Sequence, residues 1–208
     1  FADLRGFTQL ADGKLPYDIV FILNRYFAAM GRAVEAAGGQ VDKFIGDGVM
    51  ALFGLEGDAE AACRKALDAA RGMAEQLDDM NRSLAGDLRE PLRIGIGIHV
   101  GPAIVGEMGW GRTVNLTAIG DSVNTASRLE ALTKEFRCQL VVSEDVARRA
   151  GLPMDRCETH EIAVRGKRGT MRVLAVPDAA MLAFAAAPPP PPEPAAAGRL
   201  EEGVVPQA

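Results

Sequence analysis

Residues 40–53 are QVDKFIGDGVMALF, a stretch that predicts two short strands joined by a hairpin turn at Asp47-Gly48. The chain opens with FADLRGFT, which predicts the end of another strand over residues 1–4 and then a loop containing Gly6. An aspartate therefore lies at the end of each of two apolar segments, at Asp3 and at Asp47. Whether the two carboxylates meet depends on the elements between and around them.

Helical patterns separate these strands. Pro16 opens an apolar-faced helix that Gly38-Gly39 ends, and Asp58 caps a long Ala-rich helix that runs to about Leu84. Residues 93–100 alternate isoleucine with glycine, which predicts a strand with one bare face that another element must approach closely. The order strand, helix, hairpin, helix, strand is that of a split βαβ unit.

The second half of the sequence predicts shorter elements. The expected strands cover residues 103–107, 114–119, 140–142, 162–164 and 171–176, and the expected helices cover 121–135, capped by Asp121, and 143–150. We therefore expect an α+β fold with a ferredoxin-like, palm-like split βαβ core, an antiparallel-rich sheet flanked by helices, and a C-terminal α/β extension. One domain is expected over residues 1–178, followed by an Ala/Pro-rich, disordered tail over 179–208.

Composition narrows the class of protein. The chain has 208 residues, 48% of them hydrophobic, and a net charge of −5 with both signs interspersed, which argues against a surface that binds nucleic acid. Three scattered cysteines lack metal-ligand spacing and favour reduced thiols in the cytoplasm. No apolar run reaches the roughly 18 residues of a membrane helix, so no membrane contact is expected from this segment. The start within a strand indicates a fragment, which leaves room for an upstream regulatory or membrane domain.

The predicted topology brings Asp3 and Asp47 together. In a split βαβ unit the first strand and the first hairpin strand run the same way, so the end of one and the tip of the other share a sheet edge. Two carboxylates at close range repel unless a cation lies between them, and Mg²⁺ prefers such oxygen ligands. The alternative is that both are ordinary turn residues. If they meet, the sequence predicts a metal-dependent phosphoryl-transfer enzyme.

The loop after Asp3 supports the same chemistry. Gly6, Phe7 and Thr8 lead from a strand end toward a helix, and backbone N–H groups in such a loop can bind phosphate oxygens. A single loop of this kind is a weak signal.

Four motifs together resemble a known family. FADLRGFT, KFIGDGVMALFG, GIGIHVGPAIVGEMG and TAIGDSVNTASRLE occur in the order found in class III adenylate/guanylate cyclase catalytic domains. The likeness covers residues 1 to about 177, and the TAIGD form resembles the bacterial adenylate cyclases. It implies a lyase that converts ATP to 3′,5′-cyclic AMP and pyrophosphate, and a homodimer with two active sites at its interface.

The resemblance also implies roles for individual residues. Asp3, Asp47 and the carbonyl of Leu4 would bind two Mg²⁺ ions, with Mn²⁺ as a substitute. Lys43 matches the lysine that selects adenine, and Thr117 matches its partner at the purine. Guanylate cyclases carry Glu and Cys at those two positions, so Lys43 with Thr117 favours ATP over GTP.

Further positions would act on the ribose and the phosphates. Asn124 would orient the ribose and Arg128 would stabilise the transition state at the α-phosphate; their i, i+4 spacing places both on one helical face. Arg165 replaces the family's triphosphate-binding lysine, with the share of Lys167 left open, and Arg112 matches another phosphate-contacting arginine. His99 matches no catalytic histidine of the family and is expected to be structural.

Three alternatives remain at this stage. The first is a guanylate cyclase, and the second is a non-catalytic, dimerising regulatory domain with the same fold. The third is another enzyme on a palm-like scaffold, such as a diguanylate cyclase or a polymerase, which would also pair two aspartates. The pairs Lys43/Thr117 and Asn124/Arg128 argue against this third alternative.

Overall fold

The computed structural model describes residues 1–12, 14–111, 113–163 and 169–183. The strands are β1 (Ala2–Leu4), β2 (Gln40–Ile45), β3 (Gly48–Leu52), β4 (Ile94–Ile98), β5 (Ile104–Trp110), β6 (Thr113–Ile119), β7 (Leu140–Ser143), β8 (Glu158–Ala163) and β9 (Thr170–Val176). The α-helices are α1 (Phe7–Ala11), α2 (Pro16–Ala36), α3 (Ala59–Ser83), α4 (Asp121–Glu135) and α5 (Glu144–Ala150).

Seven strands form one sheet in the order β2-β3-β1-β4-β7-β9-β8. Strand β1 lies between β3 and β4 and is antiparallel to both, with Ala2 opposite Val49 on one side and Ile96 on the other. The four strands β2, β3, β1 and β4 are the split βαβ core, and β7, β9 and β8 extend the sheet beyond it through a parallel β4–β7 pair. The predicted α+β class is confirmed.

The main core lies on the face of the sheet that packs against α2 and α3. Tyr26, Met30 and Leu67 are fully buried there, with Ile94 and Ile96 of β4 beneath them. Burying each large apolar side chain contributes about 1.5–3 kcal/mol. The expected cap of α3 is confirmed, because the Asp58 carboxylate accepts hydrogen bonds from the amides of Glu60 and Ala61 at 2.7 and 2.8 Å.

The other face of β4 is bare because α4 lies directly on it. A Cβ at Gly97 would stand 2.1 Å from the Glu130 nitrogen, and one at Gly95 would overlap the Thr133 hydroxyl at 2.3 Å. The alternation of isoleucine and glycine in β4 is therefore explained as the sequence predicts: the isoleucines face the core, and the glycines let the backbone of α4 approach the strand closely.

Local details differ from the sequence-based predictions. The two central residues of the β2–β3 turn are Gly46 and Asp47, because Gly48 already pairs with Ile45. A positive φ of 62° at Gly46 alone matches a type II′ turn rather than the expected Asp-Gly turn. Helix α4 begins at Asp121, so Gly120 occupies the cap position and the predicted Asp121 cap is wrong by one residue.

The C-terminal part is longer than predicted. Strand β8 begins at Glu158, and Ala179 and Leu182 are buried in the main core, past the expected domain boundary at residue 178. Most of the predicted tail, residues 184–208, lies outside the described residues.

A two-stranded hairpin stands apart from the main sheet. Strands β5 and β6 pair along their whole length, from Ile104 opposite Ile119 to Trp110 opposite Thr113. Several apolar side chains of this hairpin face outward, with Ile104 68% and Trp110 90% exposed. An apolar surface of this kind is typical of a protein–protein contact.

No described helix combines the length and the apolar character that a membrane span requires.

Candidate active site

The two aspartates lie at one edge of the sheet, as the topology predicts. Asp3 follows Ala2 in β1, and Asp47 lies in the turn that leads into Val49, which pairs with Ala2. A Cβ at Gly48 would lie 3.1 Å from Asp3 Oδ1, so the carboxylate of Asp3 rests against the bare backbone beside Asp47. We call Asp3 and Asp47 the aspartate edge.

The electrostatics of this edge are unfavourable without a cation. Burial first, and then the negative charges of Asp47 and Glu130, raise the pKa of Asp3 to about 6, although Arg5 and Lys134 act in the opposite direction. Within the described residues, no group of three or more His, Cys, Asp or Glu side chains could hold a metal ion. A metal at Asp3 and Asp47 would therefore take its remaining ligands from backbone carbonyls, water or a phosphate, a donor set that suits Mg²⁺.

Tyr26 is a neighbour of the aspartate edge that sequence reasoning missed. Its side chain is fully buried, and its hydroxyl has no hydrogen-bond partner among the described residues. Burial raises the pKa of Tyr26, and the charges of Asp3 and Asp47 raise it further, so the hydroxyl lies within electrostatic reach of both. In the sequence, Tyr26 belongs to the apolar face of a helix, and nothing there distinguishes it from a core residue.

The predicted phosphate loop turns directly into a short helix. Gly6 has a φ of +69°, and its carbonyl accepts a hydrogen bond from the Leu10 amide at 3.0 Å, which closes the first turn of α1. Phe7 is half-buried against the main core and Thr8 follows it in α1. The amides assigned to phosphate binding thus lie at the start of α1, adjacent to the aspartate edge in the sequence.

Lys43 and Thr117 meet in the structure although 74 positions separate them. Lys43 Nζ donates a hydrogen bond to Thr117 Oγ1 at 2.8 Å, which links β2 to β6. Thr117 in turn donates to Asp42 Oδ2 at 2.6 Å, and Lys43 Nζ lies 3.6 Å from the same oxygen. We call Asp42, Lys43 and Thr117 the Lys43 cluster.

Asp42 is the member of this cluster that the sequence did not indicate. It lies where the β2–β3 register shifts between Val41 and Lys43, and its side chain is fully buried. A register shift cannot be read from residue types, because QVDKF also fits a regular strand.

Asn124 and Arg128 lie one turn apart on α4. Asn124 is exposed and Arg128 is half-buried. Among the described residues, neither side chain has a hydrogen-bond or ion-pair partner, and neither pairs with Asp3 or Asp47. The structure therefore leaves both groups available to a ligand and does not join them to the aspartate edge of the same chain.

The other predicted site residues divide into two groups. Leu4 is buried in β1 opposite Ile94, next to the aspartate edge. Arg112, Arg165 and Lys167 lie outside the described residues.

His99 lies away from the aspartate edge. Its Nδ1 is 2.9 Å from Ser143 Oγ, and it follows the end of β4 that is opposite to Asp3. A cavity of about 280 Å³ opens at that far end, lined mainly by apolar residues that include Phe53, Ala66 and Val100, and it contains none of the predicted site residues. The position of His99 agrees with a structural role.

The comparisons with known proteins identify the family. The model of the adenylate and guanylate cyclase catalytic domain matches residues 1–176. The chain is 39% identical over 183 residues to an adenylate cyclase of Anabaena cylindrica, a match that covers 85% of this chain and 36% of that protein. It is 34% identical to adenylate cyclase 1 of Rhizobium meliloti, over 69% of this chain and 22% of that protein. The chain thus spans about a third or less of these two curated relatives.

Solved structures show the same architecture. The guanylyl cyclase Cya2 superposes with a TM-score of 0.75 at 26% identity, covering 88% of this chain and 94% of that one. The adenylyl cyclase CyaB from P. aeruginosa superposes with a TM-score of 0.69 at 28% identity, covering 85% and 91%. Together with the family model and the sequence relatives, the fold and the paired aspartates show that this chain belongs to the adenylate and guanylate cyclase catalytic domain family.

Proposed function

We propose that the chain is the catalytic domain of an adenylate cyclase, which converts ATP to 3′,5′-cyclic AMP and pyrophosphate and so makes a second messenger. The observation that most supports this substrate is the hydrogen bond between Lys43 and Thr117, because it unites the two expected purine contacts in one cluster. A lysine can donate to N1 of adenine, which is an acceptor, whereas N1 of guanine carries a hydrogen.

The aspartate edge supplies the metal site of this proposal. Asp3 and Asp47, with the carbonyl of Leu4, would hold two Mg²⁺ ions, and Mn²⁺ could replace them. The raised pKa of Asp3 supports a cation there, since a cation would offset the repulsion from Asp47. Bound metal would lower the pKa of the ribose 3′-hydroxyl and neutralise charge on the phosphates.

The chain's own polar groups position the substrate. The amides of Gly6, Phe7 and Thr8 bind the triphosphate, together with Arg165 and Arg112. Asn124 orients the ribose so that its 3′-oxygen is in line with the α-phosphate. Arg128 donates hydrogen bonds to the α-phosphate as charge builds up on it, an interaction that lowers the barrier only if it is stronger in the transition state.

We further propose a homodimer with two composite sites. The aspartate edge of one protomer faces Lys43, Thr117, Asn124, Arg128 and Arg165 of its partner. Two observations support this arrangement: the apolar surface of the β5–β6 hairpin is exposed, and the side chains of Asn124 and Arg128 have no partner among the described residues. ATP as substrate and three free cysteines suit a catalytic domain that faces the cytosol.

One specific observation favours a second candidate, a guanylate cyclase. The structural likeness to the guanylyl cyclase Cya2 has a higher TM-score than the likeness to the adenylyl cyclase CyaB. Lys43 argues against GTP, because it would place a donor opposite the N1 hydrogen of guanine.

A direct assay tests the proposal. The purified protein is incubated with ATP or GTP and Mg²⁺ or Mn²⁺, and the products are identified by mass. Cyclic AMP from ATP, with a higher kcat/KM than for GTP, is the expected result. Cyclic GMP from GTP as the only cyclic product would assign the second candidate, and no cyclic product with either metal would contradict both and favour a non-catalytic domain.

A further inference from the structure

Asp42 occupies an unusual position for a charged residue. The β2–β3 register shifts at Asp42, between Val41 and Lys43, and a bulge of this kind turns a side chain away from its regular direction. The Asp42 side chain is fully buried, and only one of its oxygens has a hydrogen-bond partner, while Oδ1 has none among the described residues. A buried carboxylate oxygen without a partner is unfavourable for folding, so a functional reason for its position is needed.

The hydrogen bond from Thr117 to Asp42 fixes what the threonine can offer a ligand. A hydroxyl has one hydrogen to donate and two lone pairs to accept with. The carboxylate of Asp42 can only accept, so the Thr117 hydrogen points to Asp42 Oδ2 at 2.6 Å. Lys43 Nζ, at 2.8 Å, occupies one lone pair. The remaining polar capacity of Thr117 is a single acceptor.

A purine presents opposite chemistry at its 6-position in the two nucleotides. Adenine carries an amino group there, which donates, and guanine carries a carbonyl oxygen, which only accepts. We propose that Asp42 is a specificity-determining residue that holds the Thr117 hydroxyl as an acceptor and thereby favours a 6-aminopurine nucleotide over a 6-oxopurine nucleotide. This inference rests on the proposed function in one respect, namely that Lys43 and Thr117 meet the purine of the substrate.

Asp42 acts here as a positioning residue, since it reaches the purine only through Thr117. A simpler role would be to hold the Lys43 ammonium by charge. The distances favour the first role, because Lys43 Nζ is 2.8 Å from Thr117 Oγ1 but 3.6 Å from Asp42 Oδ2. The Thr117 hydroxyl is also the only group described as donating a hydrogen bond to the Asp42 side chain.

The test measures kcat/KM for ATP and for GTP in the full protein and in two single variants. Asp42→Ala frees the Thr117 hydrogen to meet a carbonyl oxygen, so the ATP/GTP ratio should fall about 10-fold or more. Asp42→Asn is the matched control; it keeps an acceptor in the same place without the charge and should stay within about 3-fold of the wild type. If Asp42→Asn lowers the ratio as much as Asp42→Ala does, the charge is responsible and the inference is wrong.

A double variant separates this role from general damage to the fold. In a Thr117→Val background no hydroxyl remains to be oriented, so adding Asp42→Ala should leave the ATP/GTP ratio unchanged. If the ATP/GTP ratio of the double variant is lower than that of Thr117→Val alone, the inference is overturned. If Asp42→Ala does not fold, Asp42→Leu fills the same buried space without an acceptor and takes its place in the series.

Nucleotide binding keeps the inference separable from the proposed function. The dissociation constants of 3′-deoxy-ATP and 3′-deoxy-GTP, which cannot cyclise, are measured for the same variants. If Asp42→Ala lowers the preference for 3′-deoxy-ATP over 3′-deoxy-GTP in binding, the inference is supported even if the wild type forms no cyclic product. If the wild type forms cyclic AMP and Asp42→Ala changes neither the ATP/GTP ratio of kcat/KM nor the ratio of the two dissociation constants, the inference is overturned and the proposed function stays intact. A wild type that binds neither nucleotide overturns both.

Discussion

The aspartate edge and the Lys43 cluster differ in how their charges are balanced. At the aspartate edge, burial and the nearby Asp47 raise the pKa of Asp3, and no cationic side chain pairs directly with either aspartate among the described residues. In the Lys43 cluster, a lysine, a threonine and a carboxylate form a connected set of hydrogen bonds. The like charges of the first region have no paired counter-charge among the described residues, whereas the ammonium, hydroxyl and one carboxylate oxygen of the second region already contact one another.

This difference explains why the two regions would do different work. Two like charges at close range attract a metal ion strongly, and a metal ion held in this way suits the chemistry of phosphoryl transfer. A preorganised donor and acceptor lose little entropy on binding, which suits discrimination between bases. The helix face with Asn124 and Arg128 is a third case, since these two side chains have no hydrogen-bond or ion-pair partner among the described residues.

The largest expected effect comes from removing one half of the aspartate edge. Asp47→Ala should abolish metal-dependent cyclisation, because Asp3 alone cannot hold two ions. Activity with Mg²⁺ and with Mn²⁺ is the measurement. Retained turnover would contradict the assignment of the metal site.

Mixing variants tests the composite site at the same time. Asp47→Ala should abolish activity and Arg128→Ala should leave about 1% or less of it, for different reasons. An equal mixture should recover about a quarter of wild-type activity, since half of the dimers are mixed and each keeps one intact site of two. Two Asp47→Ala preparations mixed together are the control and should stay inactive. No recovery in the mixture would indicate that each site lies within one protomer.

Arg128→Ala should lower kcat by about 10²–10³-fold with little change in KM, because it removes a charge that acts mainly in the transition state. Asn124→Ala should act in the same way. Steady-state kinetics with ATP measure both effects. Ser127→Ala, an exposed residue on the same helix, is the matched control, and a rise in KM with kcat unchanged would show that Arg128 binds the ground state instead.

Changing the Lys43 cluster should alter the choice of base more than the rate. Lys43→Glu combined with Thr117→Cys presents an acceptor at N1 and a weak donor at the 6-position, so the ATP/GTP ratio of kcat/KM should fall by at least about 10-fold. Product analysis with both nucleotides measures it. An unchanged ratio would mean that these residues do not contact the purine.

The smallest effect concerns stability and pH. Burial and Asp47 raise the pKa of Asp3 from 3.8 to about 6, so the folded state holds a proton that the unfolded chain releases between these values. The destabilising contribution of Asp3 is therefore absent below about pH 4, grows as the pH rises and is complete above about pH 6. Asp3→Asn removes this destabilising contribution and should raise the Tm of the metal-free protein by about 2–4 °C at pH 7.5. The contribution to the free energy of unfolding is about 1 kcal/mol, because solvent screens the charge of the half-exposed Asp3.

Thermal unfolding in a chelator at pH 4 and pH 7.5 measures this contribution. Asp12→Asn, at an exposed position, serves as the control. An equal change of Tm at both pH values would show that the effect of Asp3→Asn does not come from its charge.

Much of the fold followed from local sequence patterns. The split βαβ core, the Asp58 cap and the bare face of β4 at Gly95 and Gly97 were predicted, because strand alternation, capping and glycine spacing act over a few residues. The turn centre at Gly46-Asp47 and the start of α4 were each misplaced by one residue. Neighbouring residues of similar turn preference compete at such positions, and pairing with the rest of the sheet decides between them.

The sequence alone determined the family motifs and, through the order of its elements, the meeting of Asp3 and Asp47 at one edge. Only the tertiary structure decided that Asp42 is buried and accepts a hydrogen bond from Thr117, a residue 75 positions away. It also decided that the Tyr26 hydroxyl, within electrostatic reach of the aspartates, has no hydrogen-bond partner in the described part of the chain, and that the pKa of Asp3 is raised. The physical reason is that residue type and spacing fix local conformation, whereas burial, charge and hydrogen bonding depend on distances between distant segments, which exist only once the chain has packed.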